Sequence, residues 1–225
     1  MTRSRSPKHE EEAQERFDRW SESLTFRRLK PWLSWVQRHA LDTLDWAEIG
    51  KILDVGCGSG WAVYQSALRL QESERGSACG CDLSVGMLQQ RADLTFPPNA
   101  HFLASSAQEL PFRESCFDAL VCTVAFHHFP EPKIALAEFR RILRPRGQLV
   151  IADSCRDLSF GLWWWDRLHR WFEKGHVMYY RKEELRQLLS GAGFVDCRVR
   201  VLSPSYQESR KLFRRSGLFS ARAPS

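Results

Sequence analysis

The sequence predicts an α/β fold: an open, mostly parallel seven-stranded sheet with helices on both faces. Three observations predict it. Short apolar runs alternate with amphipathic stretches from Lys51 to Asp153. The first run, KILDV, is followed by Gly56, Gly58 and Gly60. Most runs are continuously apolar, as strands buried on both faces are.

The elements follow in order. Residues 1–8 read as a disordered tail. Glu10 to Glu22 has helical composition, with Ala13, Phe17 and Trp20 at helical spacing. Leu29 to Leu44 reads as a second helix, opened near Pro31 and faced by Trp32, Trp35, Val36 and Leu44. Residues 9–48 would then form an N-terminal helical cap. Strands are expected at Lys51–Val55, Ser77–Asp82, Ala100–Ala104, Phe117–Val124 and Gln148–Asp153. Helices are expected between them at Trp61–Leu70, Ser84–Arg91 and Glu131–Leu143, the last stopped by Arg144, Pro145, Arg146 and Gly147. A late helix, Lys182 to Ser190, leads to a strand at Phe194–Leu202 with one solvated face, and GLFSARA supplies a final strand.

With 225 residues the chain suits one domain, 9–225, with a full core. The first twenty residues mix both charge signs and are not expected to be a signal peptide, and the longest apolar stretch, Ala119 to Phe126, is too short to span a bilayer. Seven cysteines without a CxxC pair read as reduced thiols in a cytoplasmic protein, and no metal site is expected. A net charge of +6 is too mild for a dedicated DNA binder.

The glycine loop lies between a buried strand and a helix. Missing side chains let the main chain turn sharply and let a ligand approach it, and the helix start offers unpaired N–H groups. The spacing is G-x-G-x-G, neither the dinucleotide G-x-G-x-x-G nor a P-loop. Asp82 ends the second strand, where a carboxylate can accept from two adjacent ribose hydroxyls. Alternatively, Asp82 or Ser84 caps the next helix. Loop and acid together point to a nucleoside.

These stretches, LDVGCGSG, CDLSVGML, SAQELPF and the run from Phe117 to Asp153, resemble the class I S-adenosylmethionine-dependent methyltransferases, whose fold is Rossmann-like. Within them the sequence looks like the ubiquinone and menaquinone C-methyltransferase branch, which also holds many small-molecule enzymes. HVMYYRKEELRQLLSGAGF extends the resemblance from His176 to Phe194. The resemblance implies S-adenosylmethionine as cofactor and S-adenosylhomocysteine as product. Asp54 and the loop of Gly56, Cys57, Gly58 and Gly60 would hold its methionine end. Asp82 would take the ribose diol, and Leu83 and Met87 would pack near the adenine. Trp20, Ser106, Ala107, Gln108 and Thr123 would line the rest. Relatives carry Gly-Asp-Ala where this chain has Ser105, Ser106 and Ala107, so a neutral hydroxyl replaces the acid that accepts from the adenine amine. Arg146 replaces one glycine of a Pro-Gly-Gly turn.

Methyl transfer from a sulfonium needs alignment first, and a base only if the acceptor must lose a proton early. His127 and His128, past the fourth strand, are candidate bases; so is Asp153 at the end of the fifth. His176, Tyr179 and Tyr180 form a third polar cluster, with Tyr179 also a substrate-contact candidate. No Asn/Asp-Pro-Pro-aromatic motif of base-amine methyltransferases follows the fourth strand. Between residues 155 and 180, Phe160, Trp164, Trp165, Leu168, Trp171 and Phe172 share one helical arc. The segment reads as an amphipathic helix on the body, as a lid over an apolar acceptor through Trp164, Trp165 and Leu168, or as a peripheral membrane contact. The leading expectation is methylation of a small apolar or aromatic acceptor: quinone-, polyketide-, terpenoid- or lipid-like. The alternatives are an RNA (tRNA) methyltransferase, which the positive charge favours, and a non-catalytic cofactor binder.

Overall fold

The computed structural model describes residues 7–21, 23–71, 76–90, 95–158, 179–203 and 216–225. Trp164, Trp165, Leu168 and His176, and with them residues 159–178 of the expected 155–180 lid, lie outside these; so does the side chain of Trp20.

Helices α1 (Pro7–Ser21) and α2 (Leu24–Leu41) precede the first strand. Then follow β1 (Lys51–Val55), α3 (Trp61–Arg69), β2 (Ser77–Asp82), α4 (Val85–Gln89), β3 (Ala100–Ala104) and β4 (Phe117–Thr123). The chain continues with α5 (Pro132–Ile142), β5 (Leu143–Ser154), α6 (Lys182–Gly191), β6 (Val195–Leu202) and β7 (Ser216–Arg222). The strand order is β3-β2-β1-β4-β5-β7-β6. Strands β1 to β5 pair in parallel, and β7 runs antiparallel between β5 and β6. The sheet is seven-stranded and mostly parallel, as the apolar runs predict. After β1 the chain fills positions on one side of it, then crosses to β4 on the other. This reversal opens a crevice beyond the carboxyl ends of β1 and its neighbours, where an open sheet binds its ligand.

Two apolar layers sandwich the sheet. Trp32, Val36, Ala40 and Leu41 of α2 and Ala62, Val63 and Ala67 of α3 cover one face. Leu136, Phe139 and Ile142 of α5 and Leu185 and Leu189 of α6 cover the other. A buried amide ties the cap to the sheet: Gln148 Oε1 accepts from Asp45 N and its Nε2 donates to Asp45 O, both at 2.9 Å.

Helix α1 begins at Pro7, inside the expected tail, and α2 ends at Leu41 short of the expected Leu44; two further boundaries differ for a clear physical reason. Pro31 lies inside α2, not at its start. A mid-helix proline costs about 3 kcal/mol. Pro31 is exposed while Trp32 and Val36 beside it are buried, and that packing holds the helix through the defect. The second difference is Arg144-Pro145-Arg146-Gly147, which reads as a turn but enters β5, with Leu143 paired to Phe117. The C-terminal segment recruits it: Arg146 N donates to Pro224 O, and Arg222 Nη1 donates to Arg146 O. Arg146 adopts a φ of 61°, so the residue standing for a glycine of relatives keeps a glycine-like conformation.

Candidate functional site

The loop after β1 is shaped first by the protein itself. Gly56 has a φ of 72°, and an added Cβ would stand 2.4 Å from the Ala125 Cβ. Gly60, at 79°, would meet the Phe102 ring at 2.6 Å. Gly58 differs, for its added Cβ would touch only the Met87 Cε, at 3.0 Å. Its amide donates to Asp82 Oδ2 at 2.8 Å, and the Ser84 amide donates to Asp82 Oδ1 at 2.9 Å. The Asp82 carboxylate therefore bridges the glycine loop and the start of α4, and Ser84 is the N-cap through its bond from Met87 N. Of the two capping candidates, Ser84 caps the helix through its side chain, and Asp82 ties the cap residue's amide to the glycine loop. Each carboxylate oxygen keeps a lone pair for a further donor. Burial raises the Asp82 pKa, against the Ser84 and Gly58 amides, which favour its charge.

Asp54, the penultimate residue of β1, is paired with Gly80 on one side and Val121 on the other. It is 2% exposed, and neither carboxylate oxygen has a hydrogen-bond partner among the described residues. Burial, and then the charge of Asp82, pushes its pKa up to about 8. A buried acid without partners is costly. Thr123, at the end of β4, is also buried with an unpartnered hydroxyl. Cys57 instead turns its thiol into the core between β2 and α3, where an added Cβ on Gly80 would meet it at 2.8 Å.

Leu83 follows Asp82, Met87 lies on α4, and the turn after β3 is tied to the end of β2. Ser105 N donates to Asp82 O, which fixes that turn beside the acid. The Ser106 hydroxyl accepts from Gln108 N at 3.2 Å, and Ala107 is buried.

Beyond β4 and β5 the histidines converge with aromatic rings. His127 Nδ1 lies 2.7 Å from Asp153 Oδ1, and the His127 amide donates to Asp153 Oδ2 at 3.0 Å. Ser154 N adds a third bond, to Oδ1 at 2.7 Å. Asp153 thus grips ring and main chain of one residue, which fixes the orientation of the imidazole. The Tyr179 ring stacks on His127 at 4.7 Å, and His128 lies 3.8 Å from His127. Phe17 of α1 meets His128 edge-on at 4.8 Å. Tyr180 belongs to the core, against Phe126, and burial followed by Asp153 pushes its pKa up to about 12. It is a poor proton acceptor at neutral pH.

Asp18 was not singled out by sequence reasoning. It bonds Ser84 Oγ, and it accepts from Gly86 N at 2.9 Å. Its partners lie 66 and 68 residues away, and an aspartate in a charged helix gives no signal of such a contact. The pairing of His127 with Asp153 was likewise hidden, although both residues were candidates.

A sheet of this strand order, with a crevice at its switch point between a glycine loop and an acid on the next strand, has the Rossmann-like fold of the class I S-adenosylmethionine-dependent methyltransferases. Residues 53–151 match the family described as a methyltransferase domain. Demethylmenaquinone methyltransferase of Staphylococcus aureus is 25% identical over 206 residues, covering 82% of this chain and 83% of that protein. A Haloferax volcanii methyltransferase, solved in complex with the Trm112 methyltransferase activator, superposes with a TM-score of 0.71 at 22% identity, covering 93% and 98% of the two chains. A methyltransferase from Bacillus halodurans gives 0.67 at 18%, covering 84% and 99%. Among the described residues no helix is long and apolar enough to cross a membrane, and no group of three or more metal-ligating side chains occurs.

Proposed function

We propose that the protein methylates a small apolar or aromatic acceptor, quinone-, polyketide-, terpenoid- or lipid-like, at the ends of β4 and β5. The observation that carries this reading is the His127–Asp153 pair: a buried imidazole, fixed by its own backbone and ring to one carboxylate, walled by Tyr179, His128 and Phe17. An oriented imidazole suits an acceptor that must shed a phenolic, enolic or activated C–H proton. The relative that acts on demethylmenaquinone supports an acceptor of that kind.

S-adenosylmethionine fits the residues present. When bound it supplies a methyl group already activated on a sulfonium. Asp54, whose oxygens lack partners among the described residues, would take the ammonium of its methionine end. Asp82 would accept from the ribose hydroxyls while Gly58 N and Ser84 N hold it in place. Leu83 and Met87 would flank the adenine, and Ala107 N with the Ser106 hydroxyl would meet its edge. His127 would hold the acceptor proton at Nε2, with Asp153 stabilising the imidazolium.

The test is incubation of the protein with methyl-labelled cofactor and, in parallel, reduced naphthoquinones, simple phenols and bulk tRNA. Label in an organic-extractable product of the quinol or phenol arm supports the reading. Label in tRNA alone moves the acceptor to RNA.

A further inference from the structure

Helix α1 lies against the cofactor cleft, and one residue fastens it there. Asp18 Oδ1 bonds the Ser84 hydroxyl and accepts from the Gly86 amide at 2.9 Å. Ser84 is fully buried. Its hydroxyl has one proton, and giving it to Asp18 turns the oxygen's lone pairs toward Met87 N, which donates to it at 3.0 Å. The same serine's amide donates to Asp82 Oδ1. Asp18, Ser84, Asp82 and the Gly58 amide are therefore one continuous hydrogen-bonded chain from α1 to the glycine loop. The approach is close enough to exclude a side chain. A Cβ on Gly86 would stand 2.9 Å from Asp18 Oδ1 and 3.0 Å from its Cα. The preceding residue, Phe17, touches His128. One turn of α1 thus reaches both the cofactor side and the acceptor side of the crevice.

We propose that Asp18 is a positioning residue for cofactor binding: it latches α1 onto the start of α4, closes the cleft over the nucleoside and sets Asp82 and Met87 in place. The inference rests on the reading of Asp82 as the ribose acceptor. The charged carboxylate strengthens the bond to Ser84 relative to a neutral acceptor. Release of the latch frees α1 and loosens Ser84, so the cofactor is held less tightly and leaves faster.

Three variants test this, each confirmed as folded by circular dichroism. Asp18→Ala removes the acceptor. Gly86→Ala forces α1 away without touching the charge. Asp18→Asn keeps an oxygen but not the charge. The readouts are the Kd for S-adenosylhomocysteine by calorimetry and hydrogen exchange of α1 in the cofactor-free protein. Asp18→Ala and Gly86→Ala should each raise Kd about tenfold, and both should speed exchange across α1; Asp18→Asn should recover part of the loss. Wild-type affinity in Asp18→Ala overturns the proposal, as does weakened affinity with α1 exchange unchanged. Wild-type protein that binds no S-adenosylhomocysteine overturns the underlying reading of Asp82, and the latch with it.

Discussion

Asp54 offers a prediction with a sign and a size. Its pKa stands at about 8 in the folded protein against an ordinary 3.8. Each pH unit between them corresponds to about 1.4 kcal/mol, so ionising Asp54 costs the cofactor-free fold on the order of 5 kcal/mol. The folded value is the raised one. This contribution to stability is therefore fully present below about pH 4. It is lost progressively as pH rises through about 8. An ammonium placed against Asp54 reverses the preference and expels the proton. At pH 6.5 the cofactor's own amine is charged, and binding should release roughly one proton per protein. Calorimetry in buffers of different ionisation enthalpy measures that number directly. Asp54→Asn should abolish the release and weaken binding, while raising the stability of the cofactor-free protein at pH 8 by a few kcal/mol in urea denaturation. Binding without proton release in the wild type, or an unchanged pH profile of stability in Asp54→Asn, would refute the reasoning.

The other predictions concern the acceptor side and the frame. Asp153→Asn places an amide against three N–H donors, so His127 loses its fixed orientation. Turnover of a quinol or phenol should fall about 10²-fold or more with the cofactor Kd unchanged, read by steady-state kinetics beside calorimetry. Tyr180→Phe removes a buried phenol held protonated in the core; the pH–rate profile should keep its shape. Gly56→Ala puts a methyl group 2.4 Å from Ala125 Cβ at a positive φ, and urea unfolding should show a loss of about 2 kcal/mol or more. Phe139→Ala, emptying a fully buried site, should cost about 3–5 kcal/mol by the same method.

Much of this architecture was legible because burial on both faces leaves unbroken apolar runs, and glycines mark their ends. The place of Asp82 at the end of β2 was readable since strand end and helix start coincide there. Pro31 misled because local propensity argues for a helix start, while the packing of Trp32 and Val36 overrides it. The Arg144–Gly147 stretch misled because its partners, Arg222 and Pro224, lie at the other end of the chain. The Asp18 latch and the Asp153 grip on His127 are non-local hydrogen bonds, and no periodicity encodes them. Local patterns place elements and strand ends, whereas contacts between distant residues that assemble the site need the topology.

The reading depends on a carboxylate at the end of β2 holding a ribose beside Gly58. The most direct measurement is calorimetric titration of S-adenosylmethionine into wild type and Asp82→Ala, with both shown to unfold cooperatively. Loss of two hydrogen bonds to a charged acceptor should weaken binding at least about 30-fold. Equal affinity in the two proteins would contradict the account.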